Sequence, residues 1–138
     1  MSAADFLQKT TLFAGLNDAE AEELAETMKQ RAFAAGDRVL EEGASGRAFY
    51  LILKGEAEVR KGATVLATFG PGDYFGEMAA LLEDTPRTAD VVATTDLVCL
   101  VVTAWDMRAL ITSHPEVGVK MMGEMMRRLR DTDAAFPD

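Results

Sequence analysis

The chain has 138 residues, enough for one domain with a real core, and its 49% hydrophobic and 27% charged content is a globular balance, not a disordered one. A formal net charge of −9 repels nucleic acid and anionic lipid at long range, so neither a direct nucleic-acid reader nor a membrane binder is expected. One cysteine permits no internal disulfide, which fits a reducing cytoplasm. The opening MSAADFLQKTTLF lacks the basic-then-apolar order of a signal peptide, and no apolar run is long enough to span a bilayer.

In chain order, DFLQKTTLFAGL reads as a short helix or turn ending near Gly15. DAEAEELAETMKQ (18–30) reads as a helix: Asn17 is a good N-cap, and acids crowd the first turn, where the dipole favours them. Leu24 and Met28 lie one turn apart on its apolar face, and its acidic face reads as solvated surface. From Arg31 the texture changes. Glycines at 36, 43, 46, 55, 62, 70, 72 and 76 separate the short β-prone runs RVLEE, AFYLILK, EAEVRK and ATVLATF, followed by TADVVAT and LVCLVV. Strands of that length between turn glycines predict an all-β barrel or sandwich. AEVRK alternates as a half-exposed strand should, whereas FYLIL and LVCLVV are continuous apolar runs expected to be buried on both faces.

After Val102 the pattern is helical again. AWDMRALITS is one helix, ended at Ser113-His114-Pro115 because the residue before proline resists the helical region. Pro115 opens the next helix, PEVGVKMMGEMMRRLR, with Val119, Met122, Met126 and Leu129 at helical spacing. Arg127, Arg128 and Arg130 are read as cations collected at its C-terminus, and DTDAAFPD as a frayed tail. Trp105 is expected to anchor the first of these helices on the barrel, His114 to be a polar turn residue, and Cys99 to be a small core hydrophobe. The predicted layout is helices over about 3–30, a β-barrel over about 31–102 and helices over about 104–131, as a single domain 1–138.

One piece of the β-region is out of place. Within FGEMAALLEDTPRTA (75–89), FGEMAALLED (75–84) is not a strand pattern; it reads as a helical turn between two strands. Gly70, Gly72 and Gly76 let the backbone bend and approach a ligand closely. A short helix starting near Gly76 offers unpaired N–H groups to an anion. Glu77 is acceptor-only and suits a ligand hydroxyl; Arg87 presents a planar fork that matches two phosphate oxygens, with the Thr88 hydroxyl beside it. A surface ion pair between Glu77 and Arg87 is the ordinary alternative; a ribose phosphate satisfies the whole set. A metal-dependent enzyme on the same kind of barrel needs a cluster of imidazole and carboxylate ligands, and the chain has one histidine, so no metal is expected.

Taken together, LFAGL (12–16), GDRVLEEG (36–43), YLILKGEAEV (50–59), GDYFGE (72–77) and PRTA (86–89), with the helical pair after Val102, resemble the cyclic nucleotide-binding domains of cAMP-dependent protein kinase regulatory subunits, cyclic nucleotide-gated channels and bacterial catabolite activator proteins. The resemblance runs from about Phe6 to Arg130. It implies a mainly β fold with flanking helices: a double-stranded β-helix, or jelly-roll barrel, with an N-terminal helix, an inserted phosphate-binding helical turn and two C-terminal helices. It implies that 75–89 is the phosphate-binding cassette, with ligand-binding residues Phe75, Gly76, Glu77, Met78, Ala79, Arg87, Thr88 and Ala89. Glu77 would accept from the ribose 2′-hydroxyl, Arg87 would pair with the cyclic phosphate, and backbone N–H groups would complete the cage. Thr88 is compatible with cGMP and with cAMP. Many family members have one residue fewer between the acid and the base, a difference the EDTP loop (83–86) absorbs. Met122, Met125, Met126, Arg128 and Leu129 are the candidate purine lid; an all-core role for the methionines stands beside it.

The resemblance thus implies a non-catalytic sensor for cAMP in preference to cGMP, with no metal, in which ligand binding moves the C-terminal helices. The alternatives are an interaction module that kept the fold without the ligand, or the sensor part of a longer transcription factor, channel or enzyme. A stand-alone binder is the expectation, from Met1 and the polar tail. A homodimer through the last helix and an effector protein of unknown kind are the further partners expected.

Overall fold

A computed structural model of the chain describes residues 2–41, 43, 48–76 and 89–135. It opens with helices α1 (Ala3–Lys9) and α2 (Asp18–Thr27). Eight strands follow: β1 (Lys29–Phe33), β2 (Arg38–Leu40), β3 (Ala48–Lys54), β4 (Ala57–Lys61), β5 (Thr64–Phe69), β6 (Tyr74–Phe75), β7 (Asp90–Ala93) and β8 (Leu97–Thr103). Helices α3 (Ala104–Ser113) and α4 (Pro115–Ala135) complete the described chain.

The strands form two antiparallel sheets, β1-β8-β3-β6 and β2-β7-β4-β5. The chain pairs back on itself: first strand with last, second with seventh, third with sixth, fourth with fifth. That is jelly-roll pairing, as expected, in an open sandwich of two separate sheets instead of a closed barrel.

The first sheet has helices on one face and the second sheet on the other. Phe49 and Leu51 of β3, Leu100 and Val102 of β8, and Tyr74 of β6 join the helical side chains Leu7, Leu24, Met107, Val117 and Met121, and Phe13 of the turn between α1 and α2, in one cluster. The alternate residues Tyr50, Ile52, Leu97, Cys99 and Phe75 join Leu40, Ala57, Val91 and Ala93 between the sheets. Strand side chains alternate between faces, so a strand covered on both sides must be apolar throughout. FYLIL and LVCLVV are these strands.

The helix ends depart from the sequence reading in two places. The helix expected over 18–30 stops at Thr27, and Lys29–Phe33 is strand. Thr27 Oγ1 turns back to the Leu24 carbonyl at 2.7 Å, Met28 takes an extended conformation, and Lys29 onward pairs with β8 from Val101 to Leu97. Cross-strand pairing overrides a weak helical preference. At the other end, α4 runs through Ala135, not to about 131, so Arg127, Arg128 and Arg130 sit inside a helix and not at its C-terminus. Trp105 does not anchor α3: it is 82% exposed. The buried stripe of α3 is Ala104 and Met107, with Leu110 and Ile111 packed behind; Trp105 lies about 100° round the helix from Ala104.

His114 sits at the α3–α4 junction, as read, but does more than turn the chain. Its Nδ1 lies 3.2 Å from Glu20 Oε2 and 3.5 Å from Glu116 Oε1. Glu20 Oε1 meanwhile accepts from the Asn17 N–H at 2.9 Å, closing a capping box on α2. One carboxylate therefore caps the N-terminal helix and contacts the C-terminal hinge.

Two crossovers between the sheets lie side by side, 55–56 and 94–96: the Thr94 N–H donates to Glu56 O at 3.0 Å, and Thr95 Oγ1 accepts from the Glu56 N–H at 3.0 Å. Gly55 has φ +91, and a Cβ there would collide with the Asp96 carbonyl oxygen. Gly55→Ala combines left-handed strain with a backbone clash, so it is expected to lower unfolding stability by at least about 2 kcal/mol, read as a lower urea midpoint at unchanged slope.

Candidate functional site

The segment singled out by sequence, 75–89, joins the two sheets. β6 is the edge strand of the first sheet, paired with β3 through Tyr50↔Phe75 and Leu51↔Tyr74. β7 lies inside the second sheet, between β2 and β4. Gly76 continues toward the end of the first sheet where β3 begins and β8 finishes, and Asp90, opposite Arg60, starts β7 away from the Gly55 crossover. Both ends of the segment thus leave from the same end of the sandwich.

The approach is built from a tight turn. The Gly70 N–H donates to Asp73 Oδ2 at 2.8 Å and the Asp73 N–H to Gly70 O at 3.0 Å. The turn is tied to β3 by the Gly72 N–H to Ile52 O and the Ile52 N–H to Asp73 O, each 2.9 Å. Gly76 has φ +86, a left-handed conformation that glycine adopts without steric cost, so the chain can turn sharply out of β6.

Phe75 is buried, with its ring between Tyr50 (centroids 5.0 Å, planes within 5°) and Phe69 (6.3 Å, 4°). On the opposite face, Tyr74 stacks on Phe49 at 5.2 Å. Phe75 is therefore a foundation of the segment in the inter-sheet core. Ala89, half-buried, precedes Asp90, whose Oδ2 lies 3.7 Å from Arg38 Nε. Of the sequence-predicted ligand-binding residues, Phe75, Gly76 and Ala89 are placed; Glu77, Met78, Ala79, Arg87 and Thr88 lie outside the described residues.

The candidate lid residues all fall on α4. Met121 is fully buried against the helical core and Met125 packs at its margin. Val119, Met122 and Met126 are exposed, so the methionines divide between core and surface. Arg128 reaches back to the sandwich: its guanidinium carbon lies 5.1 Å from the Phe69 ring centroid and 5.0 Å from that of Tyr74. The Leu129 side chain lies outside the described part. Sequence reasoning missed Phe69, Tyr74 and Tyr50 as the aromatic frame around the start of the segment at Phe75. Their signal is the pair of aromatic flanks around GPGD (70–73), at F-GPGD-YF.

Residues 30–114 match the family model described as the cyclic nucleotide-binding domain. The chain belongs to the cyclic nucleotide-binding domain family. It is 45% identical over 94 residues to a cAMP-dependent protein kinase regulatory subunit from Eremothecium gossypii, an alignment covering 67% of this chain and 20% of the relative. It is 41% identical over 88 residues to a cGMP-dependent protein kinase from Plasmodium berghei, covering 64% and 10%. Among solved structures, the Thermus thermophilus catabolite activator protein superposes with a TM-score of 0.79 at 32% identity, covering 90% of this chain and 60% of that one. The chain spans about a fifth of the length of the regulatory subunits it matches. For a cyclic nucleotide-binding domain the sandwich and its flanking helices are the family fold, and 75–89 lies within the matched stretch.

The one cysteine, Cys99, is fully buried in β8, and burial pushes its thiol up to about 12. It is a core side chain and not a nucleophile. Native protein at pH 8 is expected to resist iodoacetamide and to take up one equivalent after unfolding in guanidinium, as read by intact mass; rapid labelling of the native form would contradict this burial.

Proposed function

We propose that this chain is a non-catalytic cytoplasmic sensor domain that binds cAMP in preference to cGMP and passes binding on as movement of its C-terminal helices. The observation that carries the reading is that a family match over 30–114 encloses FGE…PRTA, the one segment whose residues suit a ribose hydroxyl and a phosphate together. In this reading Glu77 accepts from the ribose 2′-hydroxyl and Arg87 pairs bidentately with the cyclic phosphate. Backbone N–H groups of Gly76, Met78 or Ala79 and of Thr88 or Ala89 complete the cage, and Phe75 anchors the segment from below. Met122, Met125, Met126, Arg128 and Leu129 offer the surface that covers the base. The chain's net charge of −9 disfavours an anion at long range, so a few local groups must supply the attraction.

The preference for cAMP is supported by the printed names of the first relatives, regulatory subunits of cAMP-dependent kinases. The cGMP-dependent kinase from Plasmodium berghei, together with Thr88, supports cGMP as the second reading. The small share of the relatives that is covered supports a role as the sensor part of a larger assembly, through an effector fused to it or bound in trans.

Calorimetry with cAMP and cGMP tests the site. Arg87→Ala is expected to weaken binding by about 30-fold or more, the cost of removing the phosphate's charged partner, about 2–5 kcal/mol. Equal affinity in wild type and variant would remove Arg87 from the site, and no heat with either nucleotide would overturn the ligand class.

Val119, Met122 and Met126 recur at the three-then-four spacing of a helix seam and are exposed on α4. A homodimer through this face is part of the proposal. Light scattering at tens of micromolar should give a dimer for the wild type and a monomer for Met126→Glu; a wild-type monomer would count against the seam.

A further inference from the structure

We infer that Arg128 is the residue that sets where α4 crosses the sandwich, by seating its guanidinium on Phe69 and Tyr74, and that this seat tunes ligand affinity at 75–89. The second half rests on the ligand reading proposed above; the first does not.

The two rings come from different sheets. Phe69 ends β5, the edge of the second sheet, and Tyr74 begins β6, the edge of the first. One cation at 5.1 and 5.0 Å from their centroids therefore spans the seam between the sheets. Both distances fall inside the roughly 6 Å range over which a ring face attracts a cation. Arginine suits the position because its flat, weakly hydrated group can lie against aromatic faces.

The seat is continuous with the start of the ligand segment. Tyr74 is the residue before Phe75. Phe69 stacks on Phe75, which stacks on Tyr50, with all three ring planes within about 5° of parallel to their neighbours. A displacement of residues 75–76 would shift the Phe75 ring, and the row would carry it to the Phe69 face under Arg128. Such packed rows respond as units because interiors are close-packed.

The grip lies at the far end of the helix packing, three residues beyond Met125, which packs at the margin of the helical core. The first turns of α4 are held by Val117 and Met121 in the helical core, and by Gly118, where an added Cβ would stand 2.9 Å from Ile111 Cγ2. Arg128 lies two turns beyond Met121, about 10 Å along the axis. The exposed Met122 and Met126 lie along that stretch. The N-terminal end of α4 is thus packed into the body, while further along a cation on two rings ties the helix to the seam.

The test uses Arg128→Gln, which keeps a planar polar end but loses the charge and about two bonds of reach, and Arg128→Lys, which keeps the charge. Amide exchange is measured on the nucleotide-free protein, and cAMP titrations are run beside it. Arg128→Gln should speed exchange in residues 122–135 and leave α3 and the strands at wild-type rates. It should also change the cAMP dissociation constant by about 3- to 30-fold, toward weaker binding. Arg128→Lys should restore most of both, and Phe69→Leu should cost less in the Arg128→Gln background than in wild type, because there the ring has already lost its cation and only its stack on Phe75 remains to lose. Wild-type exchange in Arg128→Gln overturns the seat. Faster exchange with unchanged affinity overturns its role in tuning the site. If wild type binds neither cAMP nor cGMP, the ligand reading fails, while the exchange data still decide the seat.

Discussion

The whole arrangement depends on one sheet having two dry faces. β3 and β8 lie at the centre of the first sheet and send alternate side chains to the helices and to the second sheet. Phe49, Leu51, Ile52, Leu97, Cys99 and Val102 are each at most 1% exposed. Burying a side chain of the larger kinds contributes about 1.5–3 kcal/mol, so this layer is a main source of the fold's stability. It also fixes positions. Helices on one face and the second sheet on the other are separated by the thickness of a single sheet.

That layering makes the location of the candidate site intelligible. In jelly-roll pairing, consecutive strands β6 and β7 fall in different sheets, so the chain between them must cross the sandwich. That crossing leaves a two-residue edge strand through a left-handed glycine, Gly76, at the end of the sandwich. The aromatic ladder of Tyr50, Phe75 and Phe69 gives that departure a rigid footing. At the near end of segment 75–89, Phe75 is held by core packing.

The same sheet connects the insert to the helices. Tyr74 and Phe75 are neighbours in sequence and face opposite sides, one into the helical cluster and one into the inter-sheet cluster. A change at the segment's start is presented to both layers at once. The helical layer is itself tied end to end, since Glu20 caps α2 and also contacts His114 at the hinge between α3 and α4. Physical continuity of this kind is what a domain needs if a small ligand is to alter the setting of a distant helix.

Much of this was legible in the amino-acid order. The two continuous apolar runs announced strands buried on both faces, the glycines marked the turns, and the proline at 115 marked the hinge, because each signal is local and steric. Segment 75–89 stood out for the same reason, as a helical pattern inside a β-region with Glu77 near its start and Arg87 near its end. Only tertiary structure decided the rest. Lys29–Phe33 became strand because β8 offered a pairing partner. Trp105 turned outward because Ala104 and Met107 took the buried stripe of its helix. The arginines of α4 proved to be interior to a longer helix, and one of them found two rings that lie 54 and 59 residues earlier in the chain. Composition and periodicity report what a residue prefers with its neighbours in sequence; which partner it meets across the fold depends on how the sheets are stacked, and that is not encoded in any short window.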